Sequence, residues 1–235
     1  MGYREHAVSG PLAKWVECSW TRGGPDRHDR IVPDGSMDLI WSERAGLRVV
    51  GPNTTAFLAP LRRDQAVVGV RLHPGAAPPL LGVHAPELRD ARLPAERVWG
   101  DPAQRLEEEV RRLEGPVERA RRLVAFLAEC AAAEPDPLVR QAVRRLRRSR
   151  VGEVADELAV SERHLRRLVS AHVGYGPKLL ARVLRLQAAL RRVRAGAELA
   201  EVAFEAGYAD QAHFTHDCRE LAGVPPGRFL QDVAA

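Results

Sequence analysis

The apolar positions in the last third of the chain follow a helical spacing that tight turns interrupt, and one such pattern occurs twice. Ala155 and Val160 mark the first copy, and Ala203 and Tyr208 mark the second, 48 residues later in both cases. Each copy combines a short helix, an apolar residue in the turn, and a second helix whose inner face repeats every three or four positions. The pattern predicts two helix-turn-helix units, a motif whose second helix lies in the major groove of DNA.

The second helix of each unit is predicted to begin at a polar residue. Ser161 and Asp210 can each accept a backbone N–H as an N-cap, and Gly207 suits the left-handed end of the preceding helix. Leu165 and Phe214 then face inward. The outer faces carry the side chains expected to contact DNA, which are Arg163, His164, Arg166 and Arg167 in the first unit and Gln211, His213, Thr215 and His216 in the second. Arg166 or Arg167 suits the O6 and N7 atoms of guanine.

A long helical pattern at Pro177–Arg194 joins the two units, with Leu180, Leu184 and Ala188 on one side. At ~1.5 Å per residue, its ~17 residues would hold the units ~25 Å apart along the helix axis. Successive major grooves on one face of DNA lie ~34 Å apart. Both units can therefore read one duplex if the DNA bends to some extent.

Strand-length apolar runs rich in β-branched and aromatic residues dominate the first hundred residues. They occur at Val16–Trp20, Met37–Trp41, Leu47–Val50 and Ala66–Leu72. Asp34-Gly35, just before the second run, predicts a hairpin turn. A short helix is predicted at Ala76–Val83 after the fourth run.

Two amphipathic helices follow, one beginning at Asp101-Pro102 and one after Gly115-Pro116. The second carries an apolar stripe from Val117 to Ala131 that either packs on its own domain or forms a dimer seam. The predicted fold class is therefore α+β. It comprises a small β-rich domain at residues 1–100, a helical connector at 101–134, and an all-α domain at 138–235 with two helix-turn-helix units joined by a long helix.

Basic residues are concentrated in the carboxyl-terminal region. Residues 138–235 carry 17 Lys and Arg against 11 Asp and Glu, whereas residues 1–137 carry 19 against 20. The basic excess lies where the DNA-contacting pattern lies, as expected of a protein that binds phosphates. Each phosphate contact should steepen the salt dependence of binding by roughly 0.9 in log–log slope.

The region from Ser161 to Phe229 resembles the DNA-binding domain of AraC/XylS-type transcriptional regulators. The segments that carry the resemblance are Ser161–Arg167, Gly174–Pro177, Arg185–Ala189, Val202–Phe214 and Gly223–Phe229. The resemblance implies seven helices, with two helix-turn-helix units bridged by one long helix. It implies that Arg163, Arg166 and Arg167 lead base contact in the first unit, and it implies contacts from Gln211, Ala212, His213, Thr215 and His216 in the second. Ser161 is a further candidate for contact with DNA.

The second unit departs from the family pattern at three positions. His216 stands where the family usually has Arg or Lys, and Cys218 stands where it usually has an aromatic residue. Asp217 is expected to add a negative charge close to the DNA face. The second unit is therefore expected to bind DNA weakly or mainly through the phosphate backbone.

Residues 12–100 resemble an uncharacterised domain that precedes such DNA-binding domains in actinobacterial proteins, with marks at Val16–Trp20, Pro33–Ile40 and Gly69–Gly75. In regulators of this type the preceding domain commonly senses a small molecule or mediates dimerisation. Four polar residues beside apolar strands are candidates for an effector pocket, namely Asp34, Asp38, Arg71 and His73. The alternative is structural, with Asp34 in a turn and Arg71 paired with Asp38.

The sequence lacks the marks of several other protein classes. It has no signal-peptide pattern and no apolar run of membrane-spanning length, so a cytoplasmic protein is expected. It has no GxSxG, HExxH, Walker or GxGxxG motif. Its three cysteines, Cys18, Cys130 and Cys218, show no metal-ligand spacing. Neither catalysis nor a metal or cofactor is therefore expected.

These observations favour a sequence-specific DNA-binding transcriptional regulator that responds to an effector through its amino-terminal domain. The alternative is a ligand-independent DNA-binding protein whose amino-terminal domain contacts another protein. Double-stranded DNA is the expected partner. A small-molecule effector, RNA polymerase and a second copy of the chain remain open as further partners, and no membrane association is expected.

Overall fold

The computed structural model of the protein describes residues 2–63 and 65–234, with side chains described as far as Leu230. Met1 and Ala235 are the first and last residues of the predicted domains, and both lie outside the described residues, as does Asp64. The described chain is β-rich in its first part and helical in the rest, so the predicted α+β class is confirmed.

The strands of the amino-terminal region form two antiparallel sheets. Six strands pair in the order β1-β2-β7-β4-β5-β8, and β3 pairs with β6 in a separate two-stranded sheet. The strands are β1 (Arg4–Ala7), β2 (Val16–Arg22), β3 (Arg27–Ile31), β4 (Met37–Ser42), β5 (Gly46–Val50), β6 (Phe57–Leu61), β7 (Val67–Leu72) and β8 (Arg92–Pro94).

Helices make up most of the remaining chain, with short 3-10 helices at Gly10–Lys14 and Ala85–Leu88. The helices are α1 (Pro78–Leu81), α2 (Glu96–Trp99), α3 (Asp101–Arg112), α4 (Pro116–Cys130), α5 (Pro137–Leu146), α6 (Val151–Glu157), α7 (Glu162–Val173), α8 (Pro177–Arg194), α9 (Leu199–Glu205), α10 (Gln211–Ala222) and α11 (Pro226–Ala234). The long helix α8 has the bounds that its apolar pattern predicts. The helix expected at Ala76–Val83 is shorter and ends where Gly82 adopts a φ of 65°.

The six-stranded sheet buries one face against helices. Alternate residues of β4, including Leu39 and Trp41, are fully buried, and α4 packs over β2 and β7. The apolar stripe of α4 contributes Ala120, Leu123 and Leu127 to this core. The two helices expected as a connector therefore share a core with the sheet, and the middle of the stripe is buried within the chain, while Val117, Val124 and Ala131 are half-buried.

The predicted hairpin at Asp34-Gly35 is wrong. The turn itself forms, since Asp34 Oδ1 accepts a hydrogen bond from the Ser36 amide at 2.8 Å and Gly35 has a φ of 86°. The flanking strands do not pair, however, because β3 pairs with β6 while β4 pairs with β5 and β7. A local turn signal reports a reversal of the chain, whereas the pairing partner is decided by distant residues.

The helical region is docked against the strands. Val32, in the loop after β3, is buried in the helical core, and Gln187 of α8 donates to the carbonyls of Val32 at 3.3 Å and Pro33 at 2.8 Å. Arg30 of β3 donates to the Ala222 carbonyl at the end of α10 at 3.2 Å. The two-stranded sheet therefore contacts the long helix and the last turn of α10.

Candidate functional site

The repeated sequence pattern forms two helix-turn-helix units with the same backbone hydrogen bonds. The Val160 amide donates to the Ala155 carbonyl at 3.0 Å, and the Tyr208 amide donates to the Ala203 carbonyl at 2.9 Å. Both alanines are almost fully buried where the helices of each unit cross. We call α6 and α7 the first unit and α9 and α10 the second unit, and α7 and α10 the first and second reading helices.

The predicted N-caps of both reading helices are present. Ser161 Oγ accepts from the His164 amide at 3.1 Å, and Asp210 Oδ1 accepts from the His213 amide at 2.7 Å. Ala209 lengthens the second turn by one residue, so the caps lie 49 positions apart although the turn residues lie 48 apart. Each cap satisfies one backbone donor that the first turn of a helix leaves open.

The same turn position is left-handed in both units but has a different residue. Gly207 has a φ of 78°, as its sequence context predicts, and Ala159 has a φ of 53° in the first unit. A left-handed alanine costs roughly 1–2 kcal/mol relative to its preferred conformation, because Cβ crowds the following carbonyl. The first unit therefore adopts a strained turn where the second has glycine.

The first reading helix presents an uncompensated basic face. Arg163, Arg166 and Arg167 are all exposed, and among the described residues none forms an ion pair with a carboxylate. The Arg167 guanidinium lies 3.4 Å from His164 Nδ1. The Ser161 hydroxyl is engaged as the cap. These three guanidinium groups are the strongest candidates for contacts with bases and phosphates.

The second reading helix presents a largely neutral face. Gln211, Ala212 and His216 are exposed, and Thr215 is half-buried. The His213 ring packs edge-on against Tyr208, with ring centroids 5.1 Å apart, so this predicted contact residue is partly turned towards its own turn. His216 Nε2 lies 3.4 Å from Glu220 Oε1.

Asp217 does not face the DNA side, contrary to the sequence-based expectation. Its side chain is 3% exposed and accepts hydrogen bonds from Arg182 of α8 at 2.7 Å and from Arg185 at 3.3 Å. Arg185 also stacks over the Tyr208 ring, 4.5 Å from its centroid. Asp217 lies three positions after the buried Phe214, and this helical spacing is the signal that places it on the inner face.

Arg219 was missed by the sequence analysis. It is exposed on α10, one helical turn after Thr215, and forms no ion pair with another described residue. The spacing of four residues from Thr215 places both on one face of the helix. Arg219 is therefore the available cation of the second reading helix.

A cleft of about 1310 Å³ is lined by both sheets and by three residues of the helical region, namely Gln187, Arg194 and Phe229. Of the four predicted effector residues, Asp34, Asp38 and Arg71 come together at its wall. The Arg71 guanidinium lies 3.5 Å from Asp34 and 3.7 Å from Asp38. His73 lies elsewhere, with Nε2 3.2 Å from the Ala13 carbonyl oxygen.

Burial and charge act in opposite directions on this cluster. Burial raises the pKa of Asp38 to about 6, although Arg71 opposes that shift. Trp20 also donates to Asp38 Oδ1 at 2.8 Å, which favours the carboxylate. Arg71 therefore pairs with Asp38, as the structural alternative predicts, and both residues also line the cleft.

Two family models match the chain, one for each region. Residues 154–232 match a model described as a helix-turn-helix domain, of the AraC type. The carboxyl-terminal region is an AraC-type helix-turn-helix domain. Residues 4–94 match a model described as a domain of unknown function (DUF6597). The AraC type of domain belongs to DNA-binding transcription regulators, so the match over residues 154–232 supports a DNA-binding transcription regulator.

Several solved structures are similar to this chain. The carboxyl-terminal domain of AraT, a response regulator from Geobacillus stearothermophilus, is 23% identical over 41% of this chain and 85% of its own, with a TM-score of 0.39. ToxT from Vibrio cholerae O395 is 12% identical over 92% of this chain and 97% of its own, with a TM-score of 0.49. Another ToxT structure, solved with a bound unsaturated fatty acid, is 10% identical over 90% and 93%, with a TM-score of 0.46. No curated protein matches the chain significantly.

The three thiols of the chain, two of them buried and Cys130 half-buried, are not activated. Burial raises the pKa of Cys18 and of Cys218 to about 12, and it also raises the pKa of Cys130. All three are therefore protonated near neutral pH, whereas a nucleophilic cysteine needs a lowered pKa.

None of the helices in the described part of the chain combines the length and the apolar character needed to span a membrane.

Proposed function

We propose that the protein binds specific DNA sequences through both units and that a ligand in the cleft changes its affinity for DNA. The first unit supplies the main base contacts in this proposal, and the second unit supplies mainly phosphate contacts. The observation that carries the proposal is the contrast, among the described residues, between three unpaired arginines exposed on α7 and a single unpaired arginine, Arg219, exposed on α10.

The assignment of base reading to α7 follows from the chemistry of its exposed side chains. A guanidinium group can donate two parallel hydrogen bonds to guanine O6 and N7, which is the commonest specific contact in the major groove. Arg163, Arg166 and Arg167 lie within the first turns of the helix, the part that enters the groove in this motif. On α10, Gln211 and Thr215 suit phosphate oxygens, and Arg219 adds one cation.

The assignment of ligand response follows from the position of the cleft. Gln187 both lines the cleft and holds the loop after β3 through two carbonyl oxygens. Arg30, on the two-stranded sheet, contacts the last turn of the second reading helix. A ligand that favours one position of this sheet therefore shifts the pose of α10, and with it the fraction of chains able to bind DNA.

Selection of binding sites from randomised duplexes with the full chain tests the DNA part of the proposal. We expect an enriched motif that contains guanine in one major groove, with affinity lost in the Arg167→Ala variant and retained in the matched Arg97→Ala control. Arg97 is an exposed arginine on α2, far from the reading helices in sequence. Uniform binding of all sequences, equally weakened by both substitutions, would contradict sequence-specific reading.

A screen of small metabolites with the selected operator tests the ligand part. We expect at least one compound that raises the unfolding temperature of the full chain and changes its operator affinity. Compounds that bind without any change in operator affinity would contradict the effector role. In that case self-association or capture of a partner through the amino-terminal region would favour the alternative of a ligand-independent DNA-binding protein.

A further inference from the structure

The cleft carries an excess of positive charge. Nine arginines and four carboxylates are among its lining residues. The arginines are Arg22, Arg27, Arg30, Arg44, Arg48, Arg62, Arg71, Arg92 and Arg194, and the carboxylates are Glu5, Asp29, Asp34 and Asp38. Arginine holds its charge throughout the physiological pH range, so this imbalance is permanent.

Each of the four carboxylates of the lining is paired with an arginine. Asp29 pairs with Arg22 and Arg27. The other three carboxylates all lie within 4 Å of Arg71, at 3.5 Å from Glu5, 3.5 Å from Asp34 and 3.7 Å from Asp38. In ion pairs between described residues, the four carboxylates therefore engage only three of the nine arginines, namely Arg22, Arg27 and Arg71.

Two further arginines of the lining, on the neighbouring strands β5 and β8, form no ion pair with a carboxylate among the described residues. Arg48 of β5 donates to the carbonyls of Ala45 at 3.1 Å and of Arg92 at 3.3 Å. Arg92 of β8 donates to Asn53 Oδ1 at 3.0 Å. All these acceptors are neutral, so the two guanidinium groups retain their full charge and most of their donors.

Apolar side chains flank this arginine pair. The Arg92 guanidinium lies over the ring of Phe57 on the two-stranded sheet, 3.7 Å from its centroid. Ile31, which pairs with Phe57 in the strand register, also lines the cleft, as does Val50 next to Arg48 in the sheet. Burial lowers the pKa of Arg92, with Asp90 opposing that shift, which marks a cation that is partly removed from water.

We propose that Arg48 and Arg92 bind the acidic group of an organic anion, a carboxylate or a phosphate, whose apolar body lies against Phe57 and Val50. This inference rests on the proposed function in one respect, that the cleft is a ligand site. It adds the chemical class of the ligand and the residues that select it. Two guanidinium groups that have only neutral hydrogen-bond acceptors among the described residues and lie beside an apolar ring select charge and orientation together.

Calorimetry on the full chain with four compounds of one chain length tests this class. Hexanoate, hexyl phosphate, hexan-1-ol and hexylamine share an apolar body and differ in the head group. We expect the two anions to bind at least about ten-fold more tightly than the alcohol, and the amine not to bind. Comparing the affinity for hexanoate with the affinity for hexyl phosphate then shows whether the site prefers a carboxylate or a phosphate. Equal affinity for the alcohol and the anions would overturn the proposal.

Substitutions test the residues. Arg92→Gln and Arg48→Gln are each expected to weaken binding of the preferred anion about ten-fold or more, while the exposed Arg97→Gln control changes it less than about two-fold. Arg48→Lys keeps the charge and guards against misfolding, and we expect it to retain intermediate affinity. Unchanged affinity in Arg48→Gln and Arg92→Gln, with unfolding temperatures like that of the parent, would contradict the assignment.

The failure of this inference differs from the failure of the proposed function. If neutral compounds bind in the cleft and change operator affinity, the effector role stands and the anion class is wrong. If the anions bind through Arg48 and Arg92 but leave operator affinity unchanged, the site is real and the effector role is wrong.

Discussion

The two helix-turn-helix units share a backbone but use their charged side chains differently. In the first unit, the arginines of the reading helix point outward and pair with no described carboxylate, while in the second unit arginines of α8 are bound to Asp217 behind the reading helix. The backbone hydrogen bonds of the two turns nevertheless match. A duplicated fold therefore need not carry a duplicated function, because the groups that set the scaffold and those that contact DNA occupy different faces of the same helices.

The largest expected effect concerns Asp217. Asp217→Ala removes the acceptor of two guanidinium groups, and we expect the unfolding free energy to fall by about 2–3 kcal/mol, since both arginines are only partly buried. Operator affinity should not rise. Urea unfolding and gel shifts measure the two quantities, with the exposed Asp156→Ala as the matched control. Tighter DNA binding with unchanged stability would mean that Asp217 faces the DNA.

The next effect separates the two reading helices. Arg167→Ala should weaken operator binding by about 1–3 kcal/mol, or roughly five- to 150-fold, if its guanidinium reads guanine. His216→Ala should change affinity by less than about three-fold, because His216 lies against Glu220 and carries no permanent charge. Quantitative gel shifts in which His216→Ala weakens binding more than Arg167→Ala would contradict the assignment of base reading to the first unit.

The salt dependence of binding counts phosphate contacts in each unit. Replacing Arg163, Arg166 and Arg167 together with Gln should lower the log–log slope by up to about 3, whereas Arg219→Gln should lower it by about 1. Fluorescence anisotropy between low and moderate salt measures both slopes. Equal reductions in the two variants would mean that the units contribute equally to backbone binding.

The smallest effect compares the two turns. Ala159→Gly should raise the unfolding free energy by up to about 1 kcal/mol, because glycine relieves the left-handed strain while adding freedom to the unfolded chain. Gly207→Ala should lower it by about 1 kcal/mol, since a Cβ there meets no neighbour and the effect comes from the backbone alone. Urea midpoints that move in the same direction for both variants would contradict a shared turn geometry.

Local features of the helical region could be predicted from the sequence with good accuracy. The caps Ser161 and Asp210, the glycine of the second turn and the bounds of α8 depend on contacts within a few residues, which a single segment encodes. The exposed faces followed from the same spacing. The expectation that Asp217 faces DNA is wrong because its position three residues after the buried Phe214 places it on the inner face of the helix, whatever its charge.

Features that depend on distant residues could not be predicted. Strands β3 and β6 carry charged residues or proline, and most of their positions are half-buried or exposed, so their apolar signal is weak. The pairing of β4 with β7 joins segments about thirty residues apart, and no local pattern specifies it. The pairing of β5 with β8, which brings Arg48 beside Arg92 in the cleft, likewise joins segments about forty residues apart.

Guanine methylation interference on the selected operator tests the central claim most directly. The account predicts that N7-methylated guanines in one major groove block binding, and that this block disappears in the Arg167→Ala variant while phosphate ethylation interference persists about one helical turn away. Methylation interference that is equal in both grooves and unaffected by Arg167→Ala would contradict the assignment of base reading to the first unit.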